Sequence, residues 1–296
     1  MVSDGGGKKM TDPEEEVPVT AATRAALNYL KDTNETPVFR QTKTASDIVS
    51  LGGARQPRTV TIRDGRGSAA GFSLDIEGFA FATQVTKVTD FNDDQQLELI
   101  YTPEIEKLIA RVAGAREAVV FDHTRRSTEA SHREKYGSRD PVPAPHSDYD
   151  DSSARQRMRD KFGDAADEFL QHRFAIVNVW RSMSGPIEQW PLTICDSRTI
   201  NDDFLISTRR EAPVRPEPSF EYARPSATRH AAYDANHRWY YFPRMTADEV
   251  LLFKNYDTRT DGTARFALHS AFEDPATPAN PAPRQTIETR AFVFYD

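Results

Sequence analysis

From residue 173 to the C-terminus the chain is a succession of short apolar runs divided by turn residues. They read "RFAIVNVWRSM", "WPLTICDSRTI", "DFLISTRRE", "RWYYFPRM", "DEVLLFKNYDT", "RFALHSAFED" and "QTIETRAFVFYD". Each run is strand length, and β-branched and aromatic residues dominate them. Such spacing predicts an antiparallel sandwich or barrel with helices packed outside. The only cysteine, Cys195, excludes an intrachain disulfide and any CxxC zinc or redox site, so packing alone must hold the strands together.

The first half carries the helices. Residues 1–19, rich in Gly, Lys and Glu, read as a disordered arm, and 20–296 as a single domain. "TAATRAALNYLKD" (20–32) has helical spacing and is expected to be the first ordered element. "RTVTIRDGRG" and "GFSLDIEGFAFATQVTKV" read as short strands with Gly and Asp turns. "TPEIEKLIARVAGA" reads as an amphipathic helix that starts at a Thr-Pro cap and stops at Gly114. "EAVVFDHTRR" is an apolar strand with a polar end. "SARQRMRDKFGDAADEFLQH" is a helix or a pair of helical segments flanking Gly163, and the Pro-rich stretch 273–283 is a loop.

Charge and hydropathy remove several classes of function. The net charge is −7, and no block of consecutive Lys and Arg supplies the phosphate neutralisation that nucleic-acid binding needs. No apolar run approaches the roughly 18 residues of a spanning helix. The start of the chain lacks the apolar core of a signal peptide. A cytoplasmic protein with no membrane or nucleic-acid partner is expected.

"PAPHSDYDDSSA" places His146 and Asp148 in an H-x-D spacing that, at the end of a strand, turns both side chains to one face. Two histidines and one carboxylate on one side of Fe(II) leave positions open for a cosubstrate and oxygen. The dipeptide spacing alone arises readily by chance in acidic loops. The remaining ligand must be distant, and His269, inside the otherwise apolar "RFALHSAF", fits best. Arg284 follows in "RQTIETR", where an arginine on a neighbouring strand can pair in bidentate fashion with a dicarboxylate, and the Thr286 hydroxyl can add a hydrogen bond. Arg290 is its rival on the same face, the alternative being a structural ion-pair partner of Glu288 or a loop acid. In "NVWR", alternation puts Asn178 and Trp180 on one face and Val179 and Arg181 on the other, so either Asn178 or Arg181 is a candidate for cosubstrate contact. Asp150 and Asp151 are expected to cap the following helix. In "FDHTRR", Asp122 and His123 must point to opposite faces, which disfavours them as a ligand pair, and Arg125 or Arg126 is placed at the barrel edge. His123, His132, His172, His230 and His237 read as ordinary histidines.

From about residue 75 onward the chain resembles the iron(II)/2-oxoglutarate-dependent oxygenases, and within them the AsaB-type hydroxylase/desaturase family, which includes gibberellin desaturase-like and cephem-methoxylase-related proteins. The residues that carry the resemblance are "YTPEIEKL", "VFDHTRR", "PHSDYDDSSA", "NVWRSMSGPIEQWPLTICD", "YYFPRMTADEVLLFKNYDT", "HSAFEDP" and "RQTIETRAFVFYD". The resemblance implies a double-stranded β-helix, a jelly-roll (cupin-like) barrel whose mouth holds the iron. It also implies Fe(II), 2-oxoglutarate and O2 as cofactor and cosubstrates, with 2-oxoglutarate decarboxylated to succinate while a small natural-product molecule is hydroxylated or desaturated. Carried over residue by residue, His146, Asp148 and His269 are the metal ligands and Arg284 holds the distal cosubstrate carboxylate. Tyr149, Asp150 and Asp151 stand where family members often carry a bulkier or amide residue. The alternatives are a non-redox metal-dependent hydrolase or isomerase on the same barrel, and a non-catalytic small-molecule-binding barrel.

Overall fold

A computed structural model describes residues 22–31, 36–41, 48–51, 53–68, 71–211 and 226–296, so the arm expected at 1–19 lies outside the described residues. In chain order the strands of the N-terminal part are β1 (Ala22–Leu30), β2 (Val38–Gln41), β3 (Ile48–Leu51), β4 (Arg55–Asp64), β5 (Phe79–Thr83) and β6 (Glu117–Ser127). The middle contributes β7 (His146–Ser147), β8 (Phe174–Ser182), β9 (Leu192–Cys195), β10 (Leu205–Glu211) and β11 (Ser226–Ala231). The last are β12 (Trp239–Tyr241), β13 (Glu249–Asp257), β14 (His269–Ala271) and β15 (Gln285–Phe294).

They form two sheets. The larger has the order β1-β4-β12-β9-β14-β7-β11-β10-β2-β3, and the smaller β5-β13-β8-β15-β6. Phe79, Trp180, Leu251 and Phe253 of the smaller sheet meet Leu192 and Ile194 of the larger in one apolar cluster, so the sheets face one another as in a jelly roll. The mainly β fold with outer helices is the expected double-stranded β-helix.

Every residue of β8 is buried, which is the signature of a central strand covered on both faces. Its odd-numbered residues Ala175, Val177 and Val179 face outward and join Val250, Leu252, Ile287 and Val293. Against that face lies the helix Thr102–Ala113 through Ile105, Leu108 and Ile109. Burying each such side chain contributes about 1.5–3 kcal/mol, which fixes the sheet's outer face and leaves its inner face to the other sheet. The helix ends at Gly114 in the left-handed conformation (φ 58°), as expected. Thr102 does not cap a free end, however: the Asp93 side chain accepts from the Gln95 and Gln96 amides, and a wide turn over Leu97–Tyr101 runs into the helix ahead of Pro103. Pro103 has no N–H to donate, so it is tolerated directly after that wide turn.

The stretch expected as the first helix is instead β1. It pairs antiparallel with β4 along its whole length, and Ala25, Leu27 and Tyr29 alternate into the core while Ala26 is exposed. Burial with period two overrides the helix propensity of Ala and Leu. Within "GFSLDIEGFAFATQVTKV" only Phe79–Thr83 is a strand, entered through Gly78 at φ 84°.

One irregularity sets up the inner face. β6 and β15 shift register between Arg290 and Ala291, which leaves Phe121 as an extra residue between Val120 and Asp122. Before this bulge Ala118 and Val120 face the outer helix; after it Asp122, Thr124 and Arg126 pair across from Arg290, Glu288 and Thr286 on the inner face.

Candidate active site

His146 and His269 are direct partners across the antiparallel pair β7–β14, and their ring centroids are 4.3 Å apart. Asp148 follows just past the end of β7. Its Oδ1 lies 3.5 Å from His146 Nε2 and 3.9 Å from His269 Nε2, and one ligand atom from each of the three residues falls within 4.8 Å of the others. His146 Nδ1 donates to the Ala144 carbonyl at 2.7 Å, so the lone pair of its Nε2 is turned toward Asp148. Burial, with His146 close by, holds His269 well below the ordinary histidine range, so its ring is neutral and can donate a lone pair. His230 on β11 stacks on the other side of His146 at 5.6 Å and carries a bond to Thr208 at 3.1 Å, a supporting role.

The Asp148 carboxylate is held in one orientation. Its Oδ2 accepts from Asn178 Nδ2 at 3.0 Å and from Arg290 Nε at 2.9 Å, and its backbone amide donates to Asn255 Oδ1 at 2.9 Å. Burial pushes this carboxyl upward, but Arg290 and the two imidazoles outweigh it and keep it well below the usual carboxylate range. Arg290 also donates to Asp122, to Glu288 and, at 2.8 Å, to Thr124 Oγ1. Arg290 is therefore the structural ion-pair partner, and it binds Glu288 as well as the loop acid Asp148. Two imidazole nitrogens and one free carboxylate oxygen on one side of a buried point are a donor set suited to Fe(II), with the opposite side open.

Beside this triad a narrow pocket is lined by Arg126, Val142, His146, Trp180, Leu192, His269, Ala271, Arg284 and Glu288. Arg284 is buried there. Its guanidinium donates to the Trp190 carbonyl and, at 3.4 Å, to Thr286 Oγ1, lies 5.3 Å from the centre of the Trp180 ring, and leaves Nε without a partner. Burial and the nearby Arg126 pull it down to about 9, still charged at neutral pH. The pocket thus joins the two histidines of the triad to the arginine expected for a dicarboxylate.

The structure separates the two candidates in "NVWR". Asn178 is on the inner face and acts by orienting Asp148. Arg181 is on the opposite face of β8, where it donates to the carbonyls of Gln84 and, at 2.7 Å, Ala247, and lies over Phe91 and Tyr101. Its candidacy as a cosubstrate contact is corrected: strand alternation turns it toward the outer helix. His123 is likewise on the outer face, bonded to Thr102 and Thr289. Asp150 caps the helix Asp151–Phe162 in a reciprocal box with Ser153, and Asp151 pairs with Arg229 and Arg265, so neither joins the triad. Asn255, Asp122 and Glu288 were not singled out by the sequence as site residues. In the sequence Glu288 enters only as a partner of Arg290 and Asp122 only as half of a disfavoured ligand pair, and nothing local marks Asn255.

The family described as "Oxidoreductase/YMDC permease-like domain" matches residues 27–294. No helix among the described residues is long and apolar enough to cross a membrane. The chain is 33% identical over 254 residues to the hydroxylase/desaturase CTB9 of Cercospora beticola, covering 81% of this chain and 78% of that one. It is 31% identical to the Fe(II)/2-oxoglutarate-dependent dioxygenase nvfI of Aspergillus novofumigatus, covering 80% and 84%. The solved structure of the iron and alpha-ketoglutarate-dependent endoperoxidase NvfI superposes with a TM-score of 0.78 at 26% identity, covering 93% of this chain and 99% of that one. With its triad, pocket and jelly-roll fold, the chain belongs to the AsaB-type hydroxylase/desaturase family of iron(II)/2-oxoglutarate-dependent dioxygenases.

Proposed function

We propose that His146, Asp148 and His269 hold Fe(II), that Arg284 and Thr286 take the distal carboxylate of 2-oxoglutarate, and that the enzyme hydroxylates or desaturates a small natural-product molecule. The observation that carries this reading is that His146 and His269, gathered with Asp148, line one pocket with the buried Arg284. A non-redox metal hydrolase would have no use for a buried cation on that wall. Bound iron, with 2-oxoglutarate and O2, supplies the oxidising power to remove hydrogen from an unactivated carbon. The residues of the chain do the rest. His146 and His269 present neutral nitrogens, Asn178 and Arg290 fix Asp148, and Arg284 with Thr286 orients the cosubstrate by charge-assisted bonds. Trp180 and Leu192 wall the pocket with apolar surface that excludes water.

A single oxygenase domain over 20–296 in the cytoplasm accords with the unbroken two-sheet core and the one buried thiol, Cys195. The test is anaerobic Fe(II) binding together with succinate release in air. His146→Ala and His269→Ala should lose both, and stoichiometric iron binding by the double variant would refute the ligand assignment. Oxygen uptake and product mass across candidate metabolites then distinguish alcohol from alkene products.

A further inference from the structure

Arg126 lines the same pocket as Arg284, and the sequence left it as a residue of the barrel edge. The bulge at Phe121 turns it inward, and the β6–β15 register sets it directly across from Thr286, two residues from Arg284. Burial disfavours the charge of both guanidiniums, and Arg126 stands close enough to disfavour that of Arg284, while Glu288 favours both. Among the described residues neither forms an ion pair with a carboxylate. Arg126 donates to the Asp140 carbonyl at 2.8 Å, and Arg284 to the Trp190 carbonyl and Thr286. Glu288, the acid on that wall, gives its carboxylate to Arg290 instead.

Two cations turned into one small pocket, with no carboxylate bonded to either, are stabilised when an anion joins them. On this inner face Asp148, Asp122 and Glu288 surround Arg290, three carboxylates about one cation, and Arg126 and Arg284 bring the charges to neutrality without closing an ion pair of their own. We infer that Arg126 is a second arm of the cosubstrate site, and that it shares the distal carboxylate of 2-oxoglutarate with Arg284. This deepens the reading of 2-oxoglutarate as cosubstrate and rests on it. A carboxylate offers lone pairs to two guanidinium forks at once, so the pair selects for a keto acid that ends in a second carboxylate over one that ends in a methyl group.

The experiment compares 2-oxoglutarate with 2-oxopentanoate, the same keto acid without the distal carboxylate, by calorimetric titration into Mn(II)-loaded protein without oxygen. The wild-type protein should prefer 2-oxoglutarate. Arg126→Gln should lose about 10- to 100-fold in 2-oxoglutarate affinity and keep its affinity for 2-oxopentanoate, as should Arg284→Gln. Arg126→Lys keeps the charge and loses the fork, and its selectivity should fall between those of the wild type and the glutamine variant. It also decides the matter if the glutamine variant no longer binds Mn(II). Unchanged 2-oxoglutarate affinity in Arg126→Gln, equal weakening of both keto acids, or wild-type selectivity in Arg126→Lys would overturn the assignment. The first of these would place the partner of Arg126 on the primary substrate. Equal binding of both keto acids by the wild type would instead overturn the cosubstrate reading itself.

Discussion

Arg290 Nε lies 2.9 Å from Asp148 Oδ2, and this contact leaves Oδ1 as the oxygen that faces His146 and His269. The arginine is 7% exposed and stands among three carboxylates, so it does two things at once: it neutralises buried acid and it fixes the oxygen that a metal would meet.

Replacing Arg290 by Ala leaves Asp148, Asp122 and Glu288 buried without their shared cation. A loss of about 3–5 kcal/mol is expected in urea unfolding. The milder Asn178→Ala removes one bond to Asp148 Oδ2 and should weaken Mn(II) binding about 10- to 100-fold without comparable destabilisation. Arg284→Ala should leave Mn(II) affinity near the wild-type value. Equal loss of metal affinity in Arg284→Ala and Asn178→Ala would show that the metal and cosubstrate parts of the pocket are not separable in this way.

His123 sits on the outer face of β6, bonded to Thr102 Oγ1 at 2.9 Å and Thr289 Oγ1 at 2.8 Å, and burial pushes its pKa from 6.5 down to about 4. The unfolded chain therefore takes up this proton first as pH falls. The native state is undiminished above the unfolded pKa, loses stability from pH 6.5 downward, and the loss levels off below about 4, at no more than about 3 kcal/mol. His132 and His237 are shifted in the same direction and add to the slope. His123→Gln should flatten the dependence of unfolding free energy on pH between 6.5 and 4 without abolishing it. The same slope in variant and wild type would remove His123 from the account.

The central strands β8 and β13 were legible because their burial is written in composition: their apolar runs read as strands whatever their neighbours do. β7 was not, since two residues, His146 and Ser147, become a strand only when β11 and β14 pair with them on either side. The triad could be read because histidine is scarce in this chain and H-x-D has a spacing. The hold on Asp148 could not, because Asn178, Arg290 and Asn255 come from three other strands. The bulge at Phe121 was equally hidden: one extra residue leaves no mark on a run of apolar letters, yet it turns Asp122 toward Arg290 and Arg126 toward the pocket. Arg284 and Arg290 share a face, as alternation requires, and only the acids around Arg290 assign their different tasks.

The reversal at the N-terminal end gives the remaining prediction. In β1, Leu27 is fully buried beside Ile62 and Trp239 in one cluster, while its neighbour Ala26 is exposed. Tyr29 continues the inward row and accepts a hydrogen bond from Trp239 Nε1 at 2.8 Å. Leu27→Ala should cost about 2–5 kcal/mol through transfer and cavity terms. Tyr29→Phe should cost about 1–3 kcal/mol, because it strands the indole N–H in the core. Ala26→Val should fall within about 0.5 kcal/mol of the wild type or stabilise it, since a β-branched residue suits an exposed strand position. Urea unfolding of the three variants checks the alternation directly. A helix over these residues would make Ala26→Val unfavourable through lost side-chain rotamers, and a clear destabilisation by that variant would contradict the strand.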